Sequence, residues 1–269
     1  MPVSGDPRRR AALRWIAQRI GACTGFVPPP NLRFLECMRQ ILGLAEQDVI
    51  GAVRRHCHGG ARALDVGANV GYVTRRLCRA VQPSGHVDAF EPTPLCLPVL
   101  RRNTAAFTNV TVHPIAVART GGEVAFYSDA ETHPNNSLYP TREGQAVIRV
   151  PASTLDAWYE ANGSPRIDFV KIDVEGAEID VLEGARDMIA GNPQITLVVE
   201  FCPKNLVAAG RSPNELFDCV ASLGLEAALL SESGETKLDV AGAESVVLNR
   251  DGYRNVLLRT SGAGSPRPR

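Results

Sequence analysis

The fold of this chain is decided by one stretch, which reads Ala61-Arg62-Ala63-Leu64-Asp65-Val66-Gly67-Ala68-Asn69-Val70-Gly71. Its first part, Ala61–Val66, is a short apolar run that ends in glycines and is typical of a buried strand. Tyr72–Val81 follows with the apolar spacing of a helix. A strand that leads through a glycine loop into a helix is typical of the first unit of a doubly wound α/β sheet.

Strands and helices alternate further along the chain. The pattern predicts strands at His86–Phe90, Val110–His113, Ile167–Ile172, Gln194–Phe201 and Leu225–Leu230, and helices at Thr93–Phe107, Ala177–Ile189 and Pro213–Leu223. Because such alternation implies right-handed crossovers, it predicts a mostly parallel sheet. Two further strands, Gly122–Tyr127 and Gln145–Val150, follow each other without a helix, and Glu244–Leu248 with Tyr253–Leu258 resembles a closing hairpin.

The remaining segments complete the predicted organisation. Residues 1–58 are expected to form an N-terminal helical extension or cap, residues 59–260 the main domain and residues 261–269 a disordered tail. The extension is interrupted by Pro28-Pro29-Pro30. The polar stretch Asp129–Gly144 is long for a loop, so it is either a lid over a site or a mobile connection.

Composition narrows the classes of partner. The formal net charge is zero and only 6% of residues are aromatic, whereas nucleic-acid binders show a basic excess, so we expect no nucleic-acid partner. No apolar run reaches the roughly 18 residues that span a bilayer. The seven cysteines are scattered without a Cys-x-x-Cys pair, which favours reduced thiols in a cytoplasmic protein. The N-terminal helices offer a surface for a homo-oligomer.

The glycine loop excludes two common phosphate-binding motifs. A dinucleotide fingerprint would need glycines where Asn69 and Tyr72 stand, and a Walker loop would need Gly-Lys-Ser/Thr in place of Gly71-Tyr72-Val73. What remains is an acidic residue, Asp65, before Gly67 and Gly71. Such a loop suits S-adenosylmethionine, because backbone carbonyls near Gly67 and the field of Asp65 can meet its ammonium. The amides that follow Gly71 can meet its carboxylate.

A second carboxylate favours the same cofactor. Glu91 ends the second predicted strand and follows Gly71 by 20 residues, about the interval that one crossover imposes. A carboxylate can accept hydrogen bonds from both ribose hydroxyls. Alternatively, Glu91 caps the next helix near Thr93, and the two roles are compatible.

A third group of acidic residues follows the strand Ile167–Ile172. Asp173 comes at the exit of this strand and is predicted to contact the cofactor and to orient the acceptor or take its proton. Glu200, at the next strand exit, and His133, in the long loop, are the alternative bases. Glu175 and Glu178 are better explained as first-turn carboxylates that complement the helix dipole.

These segments together resemble the FkbM family of methyltransferases. The resemblance covers about residues 60–230 and rests on Asp65–Gly71, Phe90-Glu91-Pro92, Ser153-Thr154-Leu155-Asp156, Lys171–Glu178 and Val198–Phe201. It implies a class I methyltransferase (Rossmann-like) fold, S-adenosylmethionine as donor, and O-methylation of a hydroxyl in a natural product or saccharide. It also implies a cofactor site that includes Asn69 and Pro92, with Ala116 near the adenine. The family pattern is not found in residues 1–58 or after about 235, which are expected to supply acceptor specificity.

Several alternatives stay open at this point. The chain could instead be an NAD(P)-dependent Rossmann oxidoreductase or a methyltransferase-like interaction module without catalysis. A metal-assisted reaction would use Asp173, Glu175 and Glu200, whose oxygens are of the type that Mg²⁺ prefers. Their spacing fits no recognised metal loop, so we expect no metal. The acceptor, the base and the oligomeric state are left undecided.

Overall fold

The computed structural model describes residues 34–128, 136–140, 143, 145–238 and 252–260, together with 15, 16, 19, 21 and 25–27. His133, the predicted strand Glu244–Leu248 and the predicted tail 261–269 lie outside the described residues. Among the described residues, no helix is long and apolar enough to cross a membrane.

Eleven strands are present in the described part of the chain. They are β1 (Arg62–Val66), β2 (His86–Phe90), β3 (Val110–His113), β4 (Ala116–Val117), β5 (Gly122–Ser128), β6 (Ala146–Ser153), β7 (Phe169–Ile172), β8 (Thr196–Phe201), β9 (Leu225–Ser231), β10 (Gly234–Lys237) and β11 (Arg254–Thr260). Eight of them form one sheet in the order β10-β9-β11-β8-β7-β1-β2-β3. The five strands from β8 to β3 are mutually parallel, and β11 lies antiparallel between β8 and β9. The predicted mostly parallel α/β sheet is therefore confirmed.

The described helices alternate with these strands. They are α1 (Phe34–Ile41), α2 (Gln47–His56), α3 (Tyr72–Val81), α4 (Leu97–Thr104), α5 (Leu155–Ala161), α6 (Glu178–Glu183), α7 (Arg186–Ala190), α8 (Pro203–Ala208) and α9 (Asn214–Ser222). Helix α4 is shorter than the predicted Thr93–Phe107 and begins just before Pro98. Proline is tolerated only in the first turn, because it has no N–H to donate to the preceding turn.

Two hydrophobic cores cover the two faces of the large sheet. Successive residues of a strand point to opposite faces, so Leu197 and Val199 join one core while Val198 joins the other. The first core contains residues from α5, α6, α7 and α9, and the second contains residues from α2 and α3. Helices on both faces of a mostly parallel sheet are the doubly wound arrangement that the sequence predicts.

The described part of the N-terminal extension packs on this second core. Val49, Ile50 and Val53 of α2 are buried with Val73 and Leu77 of α3. These contacts fix the loop between α1 and α2 against the sheet, although the division of the chain at residue 58 stays a prediction.

One predicted helix is wrong, because it is two helices in the structure. Ala177–Ile189 forms two short helices, α6 and α7, which are separated at Gly184. The carbonyl of Gly184 accepts a hydrogen bond from the N–H of Asp156 at 2.8 Å. A Cβ at Gly184 would lie 2.7 Å from the carbonyl oxygen of Ala118. The close approach of these neighbouring segments explains why the helical ladder is interrupted here, and the interruption depends on tertiary contacts.

A second, three-stranded sheet has the order β4-β6-β5. Its β5 and β6 correspond to the predicted strands Gly122–Tyr127 and Gln145–Val150 and pair antiparallel. The closing strand is different from the prediction. Strand β11 pairs antiparallel with β8 along one edge and with β9 along the other. It therefore lies inside the large sheet and is not one arm of a simple terminal hairpin.

Candidate active site

The exits of the parallel strands β2, β1 and β7 meet around one cavity of about 590 Å³. The strand order reverses between β1 and β7, because β2 and β3 lie on one side and β8 on the other. Open α/β sheets bind their ligands at such a point. Six of the predicted cofactor residues line this cofactor cavity: Gly67, Asn69, Glu91, Pro92, Ala116 and Asp173.

Gly67 brings two strand exits into close approach. Its φ is +82°, and a Cβ built there would lie 1.8 Å from the carbonyl oxygen of Asp173. A side chain would therefore force the β1 and β7 exits apart, and a positive φ is strained for any L-residue. The bare backbone at Gly67 sets the shape of the cavity floor.

Glu91 is held by backbone donors. Its Oε2 accepts from the N–H of Asn69 at 2.8 Å and its Oε1 accepts from the N–H of Thr93 at 2.8 Å. Burial raises the pKa of this carboxyl, against the opposing hydrogen bonds from Thr93 and Asn69. Glu91 thus holds the turn at Thr93 and does not cap α4, which begins at Leu97 without a side-chain cap. Each of its oxygens keeps a second lone pair for a further donor.

Asp65 and Gly71 do not line the cavity. Asp65 is fully buried in β1, where its Oδ2 accepts from the Thr74 hydroxyl at 2.6 Å. Its Oδ1 has no hydrogen-bond partner among the described residues. Burial raises the pKa of Asp65, and Lys171 opposes that rise. Gly71 precedes α3 with a φ of +84°, and a Cβ there would lie 2.8 Å from Leu100 Cδ1. Its predicted role toward the cofactor stays a prediction.

The described end of the long connection forms part of the cavity wall. Asn136 and Leu138 line the cavity together with Phe126 of β5. The buried Ser137 exchanges two backbone hydrogen bonds with Tyr127, and its hydroxyl donates to the carbonyl of Glu175 at 2.8 Å. These bonds tie residues 136–140 to the exit of β7.

Lys171 is a buried cation that the sequence analysis did not single out. Its Nζ lies 2.8 Å from Asp173 Oδ2, and only 5% of the residue is exposed. Burial alone lowers the pKa of Lys171, but Asp173, Asp65 and Glu46 together outweigh it and raise that pKa. Lys171 therefore stays charged and fixes the Asp173 carboxylate.

Asp173 also lines a second cavity of about 830 Å³, the neighbour of the cofactor cavity. The residues that line this acceptor cavity, as we call it below, are Arg39, Ala45, Glu46, Asp173, Glu200, Tyr253 and Asn255. Two of the predicted catalytic residues, Asp173 and Glu200, thus lie at one cavity. The third, His133, lies outside the described residues. The catalytic roles stay predictions.

Carboxylates crowd the wall between the two cavities. Among the described residues, one oxygen each from Asp173, Glu175 and Glu200 lies within 4.8 Å of the others. Burial and then Asp173 raise the pKa of Glu175 to about 8, although Asn205 Nδ2 donates to its Oε2 at 2.6 Å. Burial and then Asp173 raise the pKa of Glu200 well above its ordinary value. The same three residues were considered for a metal in the sequence analysis, and their oxygens are close enough to share a cation.

The sequence analysis did not identify Glu46 as a site residue, because no local sequence pattern distinguishes it. It precedes α2 with a left-handed φ of 48°, and burial raises its pKa to about 7 against the opposing effect of Lys171. Tyr253, which directly precedes β11, and Asn255, within β11, were likewise not singled out as site residues. Lys171 could have been found, since it stands two residues before Asp173 and a charged residue inside a buried strand needs a partner.

Comparison with known proteins identifies the domain that contains Asp173, the residue shared by both cavities. The methyltransferase FkbM domain matches residues 65–224, which is more than half of the chain. The chain belongs to the FkbM methyltransferase family. The resemblance and the expected class I methyltransferase fold are confirmed, and the NAD(P)-dependent oxidoreductase alternative is set aside.

Individual relatives of this FkbM methyltransferase are distant. The 2-O-methyltransferase NoeI of Sinorhizobium fredii is 27% identical over 47% of this chain and 58% of NoeI. The hexuronic acid methyltransferase AglP of Haloferax volcanii is 28% identical over 66% of this chain and 76% of AglP. The chain thus spans about three fifths of the length of NoeI. The crystal structure of the O-methyltransferase TomG of Streptomyces achromogenes, in complex with S-adenosylmethionine, gives a TM-score of 0.46 at 11% identity, covering 97% of this chain and 92% of TomG.

The cofactor of this FkbM methyltransferase is S-adenosylmethionine, and its site fits that molecule. Gly67 lines the cavity with bare backbone. Glu91 offers an ordered carboxylate for hydroxyl donors.

Replacing Gly67 by alanine tests the close approach of the strand exits. Gly67→Ala adds both a strained φ and a contact of 1.8 Å with the Asp173 carbonyl. We expect the free energy of unfolding to fall by about 1–3 kcal/mol more than the strain of a positive φ alone would cause. Cofactor binding should weaken at least tenfold. Gly163→Ala is the matched control, because its φ is +77° with nothing within 4 Å. Equal effects of both substitutions on unfolding and calorimetric binding would show that the contact does not matter.

Replacing Glu91 tests its role toward the ribose. In Glu91→Gln the side-chain N–H₂ must face one of the two backbone N–H groups, of Asn69 or Thr93, and cannot accept a hydrogen bond from it. The substitution also removes the negative charge of the acceptor. We expect about 10–100-fold weaker S-adenosylmethionine binding by calorimetry, the usual size for a hydrogen bond to a charged group. The exposed Glu160→Gln is the control. Unchanged affinity would mean that Glu91 only caps the following turn.

The raised carboxyl pKa values predict the pH dependence of stability. The pKa of Glu175 is raised to about 8, while an unfolded glutamate titrates near ~4.3. The folded state therefore binds more protons between these values, so the stabilising contribution is complete below ~4.3 and is lost as pH rises through about 8. We expect the free energy of unfolding to fall between about pH 5 and 8.5, by at most ~1.4 kcal/mol per pH unit for each such group.

Glu175→Gln should make this slope shallower, because glutamine mimics the protonated acid and still accepts from Asn205. Glu160→Gln should leave the slope as it is. Chemical unfolding at several pH values measures both, and an unchanged slope in Glu175→Gln would contradict the assignment.

Proposed function

We propose that this chain transfers the methyl group of S-adenosylmethionine to a hydroxyl of a saccharide or another small natural product. The observation that carries the proposal is the position of Asp173, which lines both the cofactor cavity and the acceptor cavity. A carboxylate between the two cavities stands where a methyl donor and a hydroxyl would meet.

The chain itself would position the acceptor and receive its proton. Bound S-adenosylmethionine supplies an electrophilic methyl group that leaves its sulfur as the new C–O bond forms. The acceptor cavity holds the hydroxyl oxygen toward the cofactor cavity, which is the entropic part of catalysis. Asp173 accepts the hydroxyl proton while Lys171 keeps the carboxylate oriented. Glu200 is the alternative base at the same cavity.

The relatives support this acceptor class. NoeI is named as a 2-O-methyltransferase and AglP as a hexuronic acid methyltransferase, so both names point toward oxygen-bearing acceptors. The neutral charge balance of the chain supports a small-molecule acceptor over a nucleic acid.

Two further parts of the proposal concern the surroundings of the enzyme. A reducing, cytoplasmic location is supported by free thiols at Cys57, Cys78, Cys96, Cys202 and Cys219. A homo-oligomer formed through the N-terminal helices would be detected by light scattering of the purified chain.

The function is tested with labelled cofactor. Calorimetry should show binding of S-adenosylmethionine and none of NAD. Incubation of the chain with methyl-labelled cofactor and a panel of hydroxylated saccharides should give labelled products by mass spectrometry. Cofactor binding with no transfer to any hydroxylated compound would leave an interaction module instead of an enzyme.

Replacing Asp173 tests the proposed base. Asp173→Asn keeps the shape of the side chain but removes the proton acceptor, so we expect turnover to fall by about 10²–10⁴-fold. Cofactor affinity should stay within a few-fold of the parent. If Glu200→Gln lowers turnover far more than Asp173→Asn, then Glu200 is the base.

A further inference from the structure

The acceptor cavity is built largely outside the family domain. Of its seven lining residues, only Asp173 and Glu200 fall within the matched residues 65–224. The other five come from α1, from the loop that follows it and from the end of the chain around β11. Acceptor preference is therefore a property of this chain that family membership does not supply.

We propose that the acceptor cavity binds a hydroxyl-rich acceptor that is neutral or cationic, such as an amino sugar, and rejects acceptors that carry a carboxylate. This inference rests on the proposed function, because it names the acceptor class of the same site. It separates the chain from a hexuronic acid methyltransferase, whose acceptor is anionic.

The first support is the charge of the lining. Three carboxylates, Glu46, Asp173 and Glu200, face one guanidinium, that of Arg39. The buried ammonium of Lys171 is already paired with Asp173 and is not part of the lining. An anionic acceptor would oppose the ionisation of these carboxyl groups, whereas a cationic acceptor would favour it and be attracted to the carboxylates.

The second support is the way these carboxylates are held. Burial raises the pKa of Glu46 to about 7, and burial followed by repulsion from Asp173 raises that of Glu200. Lys171 opposes both shifts, and Glu46 also interacts electrostatically with Arg76. A ligand ammonium would relieve the repulsion.

The third support is the polar and aromatic lining contributed by the end of the chain. Asn255 is buried and its Nδ2 donates to Asp48 Oδ2 at 2.8 Å, which fixes the amide. Tyr253 is 54% exposed, so its ring offers a flat surface with a hydroxyl at the tip. A fixed amide and an accessible aromatic ring suit a sugar, which has both hydroxyls and an apolar face.

A divalent metal is the competing explanation for the carboxylates. Glu175 belongs to the close group of three oxygens but lines the cofactor cavity instead of the acceptor cavity. Glu46 lines the acceptor cavity but is not part of that group. A metal would therefore leave Glu46 unused, while an ammonium in the acceptor cavity would use it. Glu46 is the residue that separates the two explanations.

The test uses three methyl glycosides of different charge: the neutral methyl glucoside, methyl glucosaminide with an ammonium at C2, and methyl glucuronide with a carboxylate at C6. Their binding to the full chain is measured by saturation-transfer NMR with S-adenosylhomocysteine present, and labelled methyl transfer is measured in parallel. We expect the glucosaminide to bind at least about tenfold more tightly than the glucuronide, with the neutral glucoside between them. Exhaustive chelation of divalent metals should not change this order.

Substitutions connect the preference to the cavity. Glu46→Gln should reduce the discrimination between glucosaminide and glucuronide several-fold, while Glu160→Gln should not. Tyr253→Ala, at an exposed side chain, should weaken binding of all three glycosides and leave the S-adenosylhomocysteine affinity unchanged. Thermal melting establishes that each variant is folded, and Tyr253→Ala keeps the test valid if Glu46→Gln does not fold.

The outcomes are distinct. Equal or tighter binding of the glucuronide, binding of none of the three glycosides, or loss of the order on chelation would overturn the inference. An unchanged preference in Glu46→Gln would overturn it as well. Failure of the chain to bind S-adenosylmethionine would instead defeat the proposed function, and that measurement needs no acceptor.

Discussion

Lys171 lies buried at the end of β7 with its ammonium 2.8 Å from Asp173 Oδ2, and Asp65 and Glu46 surround it electrostatically. A buried charge is costly unless it is paired, and so are buried carboxylates. The pairing lets acidic groups from β1, from β7 and from the loop before α2 occupy one small volume. Asp173 lines both cavities and Glu46 lines the acceptor cavity, so this charged group adjoins both.

Backbone strain is concentrated at the same place. Five described residues other than glycine have a positive φ, and three of them, Glu46, Asn69 and Glu175, line one of the two cavities. Such conformations persist only where the surrounding structure holds them. Two hydrogen bonds restrain Glu175 in this conformation, because Ser137 donates to its carbonyl and Asn205 donates to its side chain. The structure thus presents polar groups that are oriented before a ligand arrives.

The strongly periodic elements were predictable. The boundaries of α3, β2 and β3 coincide with those predicted, since their apolar spacing matches one period without interruption. Short elements were missed, among them β4, α5, α8 and β10, because a few residues carry too little pattern. In the site, Asp173 and Glu91 were found from their places at strand exits, whereas Glu46 and Tyr253 have no such marker.

The sequence by itself determined the alternating α/β order, the glycine loop at Gly67 and the succession of acidic residues at three strand exits. These features are local, so they can be read along the chain. Only the tertiary structure decided that Asp173 lies between two cavities and that Glu46 approaches it from a distant segment. The physical reason is that α2 is held against the sheet by packing of its apolar face, and such packing specifies no recognisable motif.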